Sequence, residues 1–366
     1  MSTNRGRNEV IDVIKGIGIL LMVMRHARFP HSDFVLLFHM AIFFIASGYL
    51  YKPLGRNGDV ANFVIRKIKT LWKPYFITNM IFVLSNNLLL NCGIYINSEQ
   101  NVLEGFASSR FYGVFDILKS MLMTVGFQLN TNLGGATWFY GTLFGVIVLY
   151  ALVDFGLSYI NTDSTKKLVR MSIFVLFAII GWLCMLTGHA LRGMDRVFTV
   201  YPLIDIGHFF REHNIMNRLK GFQKALTVLL SLIVLTIGYQ FGNIALVNNE
   251  IVNPGFFLLM SIAGWFGLWI VATVVVRFEY SKKLFELFSK RALWIIGGHF
   301  LAFKIVTLVQ IITMKIEFKN LAAFPVCING LGWSTFYTLV GLGCPLLIYF
   351  LYDKFVQKVR MVKLIK

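Results

Sequence analysis

Residues 11–51 read IDVIKGIGILLMVMRHARFPHSDFVLLFHMAIFFIASGYLY: two long apolar runs joined by a short polar hairpin. Ionisable groups are few in them, so their spacing carries weight. An α-helix turns about 100° and rises about 1.5 Å per residue. Lys15 and His26 are eleven residues apart, which places them about 20° apart in azimuth and roughly 16 Å apart along the axis. Asp12 lies one turn before Lys15 and within about 60° of it. One face of a helix over 10–27 therefore carries a carboxylate, an ammonium and, three turns on, an imidazole. An ionisable group in hydrocarbon costs about 3 kcal/mol or more unless it faces protein or water, so such a face is a functional hypothesis by default. The structural alternative is that Asp12 and Lys15 pair with each other at the interface and His26 only ends the helix.

Working outward, the 366 residues are 57% hydrophobic and only 14% charged. A soluble domain carries about 25% charged residues, so the composition points to an all-α, polytopic integral membrane protein. The opening run is too long for a signal-peptide core, lacks a small-residue cleavage site and leads directly into a second apolar run. About ten spans are expected, at 10–27, 34–51, 74–92, 137–154, 171–188, 197–210, 225–241, 255–276, 292–313 and 333–352. Crossing about 30 Å of hydrocarbon takes about 20 residues. The sixth span is short and holds Pro202, Asp205 and His208, which suggests a broken or re-entrant segment. The stretch 114–129 is interrupted by Asp116 and Lys119 and reads as an amphipathic segment on the outer surface. No repeat or soluble domain is visible, so 1–366 reads as a single transmembrane domain with a basic cytoplasmic tail at 353–366.

With both termini cytoplasmic, the inner segments hold 25 of the 35 Lys and Arg residues and the outer segments 8. That bias is what the positive-inside rule expects. The net charge of +18 is then accounted for by orientation and anionic lipid, without nucleic acid. A polyanionic donor such as coenzyme A would also use inner cations. Arg66, Lys67 and Lys69, in a basic amphipathic stretch that runs to Lys73 and ends at Pro74, are the best placed for it. The four cysteines, Cys92, Cys184, Cys327 and Cys344, show no metal-ligand spacing. Cys92 and Cys327 both fall near the outer face, where a disulfide could form. Buried thiols acting as small apolar residues are the stronger expectation.

Of seven histidines, His26, His31, His39 and His189 fall at or near outer span ends, His299 lies inside the ninth span, and His208 and His213 lie toward the inner side. An imidazole can take a proton from a hydroxyl as general base, or transiently carry an acyl group. His31 and His213 read as solvated or helix-capping. The short hairpin brings His26 and His39 toward the same mouth. Lys304, five residues beyond His299 and on another face, needs a cavity, a snorkelling path or a partner carboxylate, for which Asp205 is one possibility. Arg192 and Arg196, one turn apart with Asp195 between them, either hold an anionic glycan or form a structural salt bridge with Asp195.

Several of these residues also carry a resemblance. Asp12, Lys15-Gly16 and His26, followed by Phe38-His39-Met40, Phe43-Phe44 and Ser47-Gly48-Tyr49, resemble the opening of acyltransferase family 3. Its members are integral-membrane enzymes that O-acylate sugars and surface polysaccharides. The family usually opens with an Arg, ten residues, then a His. Lys15 stands in the place of the Arg, as in the branch resembling fucose 4-O-acetylases, and keeps its charge without its planar fork. Residues 293–300, LWIIGGHF, are similar to a late-helix motif of the family that ends in His. Thr137-Trp138-Phe139-Tyr140 resembles its Trp-Phe segment on the acceptor side, and Arg196, Phe198 and Gly207 resemble another Arg-led aromatic segment.

The resemblance implies transfer of an acetyl or other acyl group from acetyl-CoA, used as substrate rather than as a bound cofactor, to a sugar hydroxyl of a cell-surface or lipid-linked polysaccharide at the bacterial plasma membrane. It implies His26, Lys15, Asp12 and His299 as catalytic residues. His39, Trp138, Arg192 and Arg196 would meet the acceptor, and Arg66, Lys67 and Lys69 the donor. The competing reading is a transporter or glycolipid flippase, which also carries interior charges. Such proteins commonly show two related halves, and none are visible here.

Overall fold

A computed structural model describes residues 8–56, 58–99, 104–128 and 131–365, and 76% of these described residues are helical. Residues 1–7 and Lys366, to which the termini expectation refers, lie outside the described residues. In order the helices are α1 (Glu9–His26), α2 (Ala41–Tyr49), α3 (Val60–Lys67), α4 (Lys73–Leu84), α5 (Asn86–Asn91), α6 (Val114–Val125), α7 (Trp138–Leu157) and α8 (Asp163–Leu186). There follow α9 (Met194–Glu212), α10 (Ile215–Arg218), α11 (Phe222–Phe241), α12 (Pro254–Val275), α13 (Glu279–Lys290), α14 (Ala292–Met314) and α15 (Leu331–Ile365).

Helix ends follow local chemistry. Glu9 and Asp12 stand in the first turn of α1 and Arg25 and His26 in its last, complementing the helix dipole. Asn253 caps α12 by accepting from the Phe256 N–H, and Pro254 follows, where a missing N–H costs nothing.

Among the described residues seven segments are long and apolar enough to cross a membrane: Ser32–Tyr49, Gly135–Leu157, Asp163–Leu186, Phe222–Phe241, Pro254–Val275, Ala292–Met314 and Leu331–Val359. α8 is the clearest, because only 6% of its apolar window is buried in protein. Leu168, Met171 and Ile179 point outward, an arrangement that water penalises and hydrocarbon does not. The molecule is a helical membrane protein. The other three expected spans are helical but lack that length or composition. α1 carries Glu9, Asp12, Lys15 and Arg25. The run 74–92 is divided at Ser85 into α4 and α5. α9 holds several charges, yet it is one continuous helix through Pro202 rather than a broken one.

The chain divides into two compact units. The first comprises residues up to Gly18, Asp33–Phe76 and Trp138–Glu286. Here α2 crosses α9 at glycines. A Cβ on Gly48 would lie 1.9 Å from the Ile204 carbonyl oxygen, and one on Gly207 would lie 2.0 Å from that of Ile45. Small residues that let backbones touch are the usual basis of helix association in lipid. Gly16 serves likewise, with the Phe285 carbonyl 2.1 Å from its absent Cβ.

The second unit comprises Ile19–Ser32, Ile77–Thr137 and the chain from Leu287 onward. α14 and α15 form its spine, with a Cβ on Gly341 only 2.5 Å from the Phe303 ring. Two short parallel strands, β1 (Ile96–Asn97) and β2 (Ser108–Ser109), pair beside this spine. The Ala107 N–H donates to Ala322 O and the Phe324 N–H to Gly105 O, which ties the 105–109 loop to the loop before α15. α6 forms where an amphipathic segment is expected and exposes Val114, Phe115 and Leu122. α15 is 35 residues, about 52 Å at 1.5 Å per residue, and so extends well past the hydrocarbon.

The cysteines depart from expectation. All four are free, Cys92 is exposed, and the other three are only partly buried, so none is a fully buried apolar filler.

Candidate active site

The second unit brings together two histidines that lie 273 residues apart in sequence. His26 is the last residue of α1, and its ring lies 5.2 Å from that of His299 on α14, tilted by 31°. Phe300 packs against both, 4.7 Å from His26 and 4.1 Å from His299, and Phe303 meets His299 edge-on at 5.6 Å. Phe324 closes over Phe300 at 4.7 Å. The imidazoles therefore sit among aromatic rings.

His299 is fully buried. Its Nδ1 lies 2.9 Å from the Ile295 carbonyl and 3.1 Å from that of Ile296. A carbonyl can only accept, so Nδ1 carries the proton and Nε2 carries the lone pair. Nε2 is buried with no hydrogen-bond partner among the described residues. A buried acceptor left unsatisfied costs about 1–3 kcal/mol, a penalty that is relieved when a donor such as a hydroxyl arrives. His26 is half-buried at its helix end, the more accessible of the two rings.

Lys304 is buried, and its Nζ donates to Ala323 O at 2.7 Å. The suggested partner Asp205 instead pairs with Arg170 and Tyr150. A backbone carbonyl in a connecting loop thus replaces the carboxylate expected from two lone charges in apolar sequence. Further along α14, Gln310 accepts from Tyr337 of α15 and donates to Ile328 O, and the Tyr337 hydroxyl lies 2.8 Å from Thr307. These bonds fix the 323–328 loop that carries Phe324. The sequence does not mark Gln310 and Tyr337 as supports of this site, because a polar side chain inside an apolar span is the only signal for either.

In the first unit Asp12 and Lys15 form the expected pair, 3.3 Å apart, with the carboxylate nearly buried and the ammonium 30% exposed. His39 is buried and donates from Nδ1 to Val35 O at 2.8 Å. Two of the acceptor-side candidates meet: the Arg196 guanidinium stands 5.5 Å from the Trp138 ring and donates to Val247 O. Asp195 is buried, and among the described residues its Oδ1 has no hydrogen-bond partner, so Arg196 meets Trp138 and Val247 rather than that oxygen. Arg192 is exposed in a left-handed turn at φ 52°. His31, His189 and His213 are exposed.

Arg66 and Lys67 end α3, and Lys69 lies in the π-helical turn Ile68–Trp72. Arg66 and Lys69 are exposed, whereas Lys67 is half-buried over the Phe63 ring at 5.2 Å. Burial, and then the like charge of Arg66, hold the Lys67 ammonium below the ordinary lysine range.

A helical membrane protein with one buried and one half-buried imidazole in contact defines a class in which proton abstraction from a hydroxyl is chemically available. The chain belongs to acyltransferase family 3: the family model described as an acyltransferase domain matches residues 8–350. It is thus a membrane acyltransferase. No curated protein and no solved structure matches the chain.

Proposed function

We propose that the protein is an O-acetyltransferase that moves an acetyl group from acetyl-CoA to a sugar hydroxyl in a cell-surface or lipid-linked polysaccharide, at the plasma membrane of a bacterium. The observation that carries this reading, beside the family, is the His26–His299 pair. One ring is accessible, and the other has its donor nitrogen committed to backbone and its lone pair unused.

In this mechanism His26 accepts the proton of the attacking hydroxyl. The hydroxyl oxygen bonds to the thioester carbonyl carbon, the C–S bond breaks, and coenzyme A leaves as a thiolate that takes up one proton. In the alternative order His26 itself attacks first, carries the acetyl group and passes it to the sugar. His299 packs against His26 and orients it. Lys15, oriented by Asp12, and Lys67 and Lys69 meet donor phosphates as point charges, and Arg66 meets them through its planar fork. Trp138, Arg196, Arg192 and His39 serve the acceptor. Lys15 in the usual Arg position favours the fucose 4-O-acetylase-like branch.

For topology, we propose that α1, the α4–α5 pair and α9 also cross, giving ten spans with both termini cytoplasmic. The support is the distribution of Lys and Arg, 25 in inner segments against 8 in outer ones. Purified protein incubated with labelled acetyl-CoA and a panel of sugars and lipid-linked glycans should transfer label to an acceptor hydroxyl. A folded protein that labels none of them overturns the reading.

A further inference from the structure

The first unit holds a cluster of ionisable side chains that acyl transfer does not use. α7 supplies Tyr150 and Asp154, α8 supplies Arg170, and α9 supplies Asp205, His208 and Glu212. The Tyr150 hydroxyl lies 2.9 Å from Asp205 Oδ1 and 2.9 Å from His208 Nδ1. On the far side of the ring, His208 Nε2 lies 3.5 Å from Glu212 Oε1. The side chains run from 16% exposed at Asp205, through 3% at His208, to 45% at Glu212.

Counting protons shows what this row can do. It has three contacts, and each needs one proton. With both carboxylates ionised and the imidazole neutral, Tyr150 and His208 supply only two. One place stands open, so the row can accept a third proton and fill every contact. The surroundings favour it. Arg170 reaches Asp154 at 3.2 Å, Asp205 at 3.4 Å and Glu212 at 3.9 Å, so one guanidinium faces three carboxylates. Tyr51 donates to Asp154, Arg211 donates to the Tyr51 carbonyl, and the Tyr201 ring packs on Tyr150. None of these supplies a second cation to the row. Chains of Asp, Glu and His inside membrane proteins are the usual material of proton relays.

We propose that Glu212, His208, Tyr150 and Asp205 form a proton relay that passes a proton between water at Glu212 and the carboxylate of Asp205. The step balances. A proton on Glu212 moves to His208 Nε2, the Nδ1 proton moves to the Tyr150 oxygen, and the Tyr150 proton moves to Asp205. Glu212 is left ionised, His208 neutral in its other tautomer, Tyr150 neutral and Asp205 protonated. Every contact is again filled, with the direction of donation reversed. The relay rests on this geometry alone and stands apart from the acyl-transfer reading.

The test is time-resolved infrared spectroscopy on the full chain in lipid nanodiscs after flash release of a caged proton. A carboxylic-acid band should rise, and Asp205→Asn should remove it. Tyr150→Phe takes out one oxygen and the central link, and should slow the rise at least tenfold. His208→Gln breaks the next link and should do the same, which keeps the test intact if either variant folds poorly. Helix content by circular dichroism identifies the folded samples. A band that rises at the wild-type rate in a folded link variant, even one with lowered thermal stability, overturns the relay. So does the absence of any band that depends on Asp205.

Discussion

Two buried histidines, His299 and His208, are held in opposite ways. His299 is oriented by two carbonyls of its own helix and walled by Phe300 and Phe303, with no carboxylate bonded to it among the described residues. His208 is oriented by Tyr150 and Glu212, with Arg170 joining the same carboxylates. An imidazole held by its own helix among rings keeps an unused lone pair, which is available to a substrate. An imidazole among charges belongs to a network in which each member holds the others. The first arrangement separates chemistry from stability, and the second joins them.

The largest expected effect lies on the aromatic side. His26→Ala should lower kcat by about 10²–10⁴-fold, the usual worth of a general base, in a protein that still folds and binds acetyl-CoA. Labelled-acetyl turnover measures it, and a well-inserted variant with wild-type turnover would make His299 the next residue to test. A labelled acetyl group found on His26 by mass spectrometry after quenching would select the carrier order. His299→Leu sharpens the contrast. Its wall is apolar and the two helical carbonyls keep their helix bonds, so a volume-conserving exchange should cost less than about 1.5 kcal/mol while activity falls.

On the charged side the weights reverse. Arg170→Met leaves Asp154 and Asp205 without the cation that bridges them, and breaking such a buried pair typically costs about 3–5 kcal/mol. Thermal unfolding in detergent should show the loss, with Arg170→Lys recovering part of it. A variant as stable as wild type would mean that the cluster does not hold α7, α8 and α9 together.

Lys15 lies between these extremes. Lys15→Ala removes the cation 3.3 Å from a nearly buried carboxylate, so both expression and activity should drop. Lys15→Arg keeps charge and rough reach and should restore much of both. If Lys15→Ala is expressed and active at wild-type levels, the pair is only interfacial.

The smallest effect concerns the donor. Neutralising Arg66, Lys67 and Lys69 together should raise the KM for acetyl-CoA more than it lowers kcat. Lys67 adds a pH signature. Its ammonium is held below the ordinary lysine value, so its charge disappears at lower pH than an ordinary lysine's would. Donor KM should therefore climb with rising pH before an ordinary lysine titrates, and Lys67→Met should remove that early limb. An unchanged KM in the triple variant would reduce the segment to an orientation signal.

Much of this architecture is legible in the sequence. Seven of the ten expected spans are long apolar helices, because a run of about 20 apolar residues has few alternatives in a membrane protein. The Asp12–Lys15 pair follows from helical spacing alone. His26 and His299 are legible singly, through apolar context and family resemblance, but nothing local predicts that their rings meet. The Arg170 cluster is not legible. Arg170 reads as one more inner-loop cation, although it lies seven residues inside α8, and its partners come from residues 154, 205 and 212. Asp205 and Lys304 invite pairing only because each is a lone charge in apolar sequence, and sequence does not reveal that a carbonyl at Ala323 is within reach.

The π-turn at Ile68–Trp72 has a consequence for how chain length can vary. A π-turn accommodates one residue more than an α-turn in the same helical path. Elsewhere in these helices, removing one residue swings everything beyond it by about 100° and turns packed faces outward. Between Ile68 and Trp72 the surplus residue can be given up and the turn can relax to α, leaving α3 and α4 facing as before. A shortened relative of this protein would be expected to have lost its residue here, with Lys69 displaced and the packing of both neighbouring helices intact.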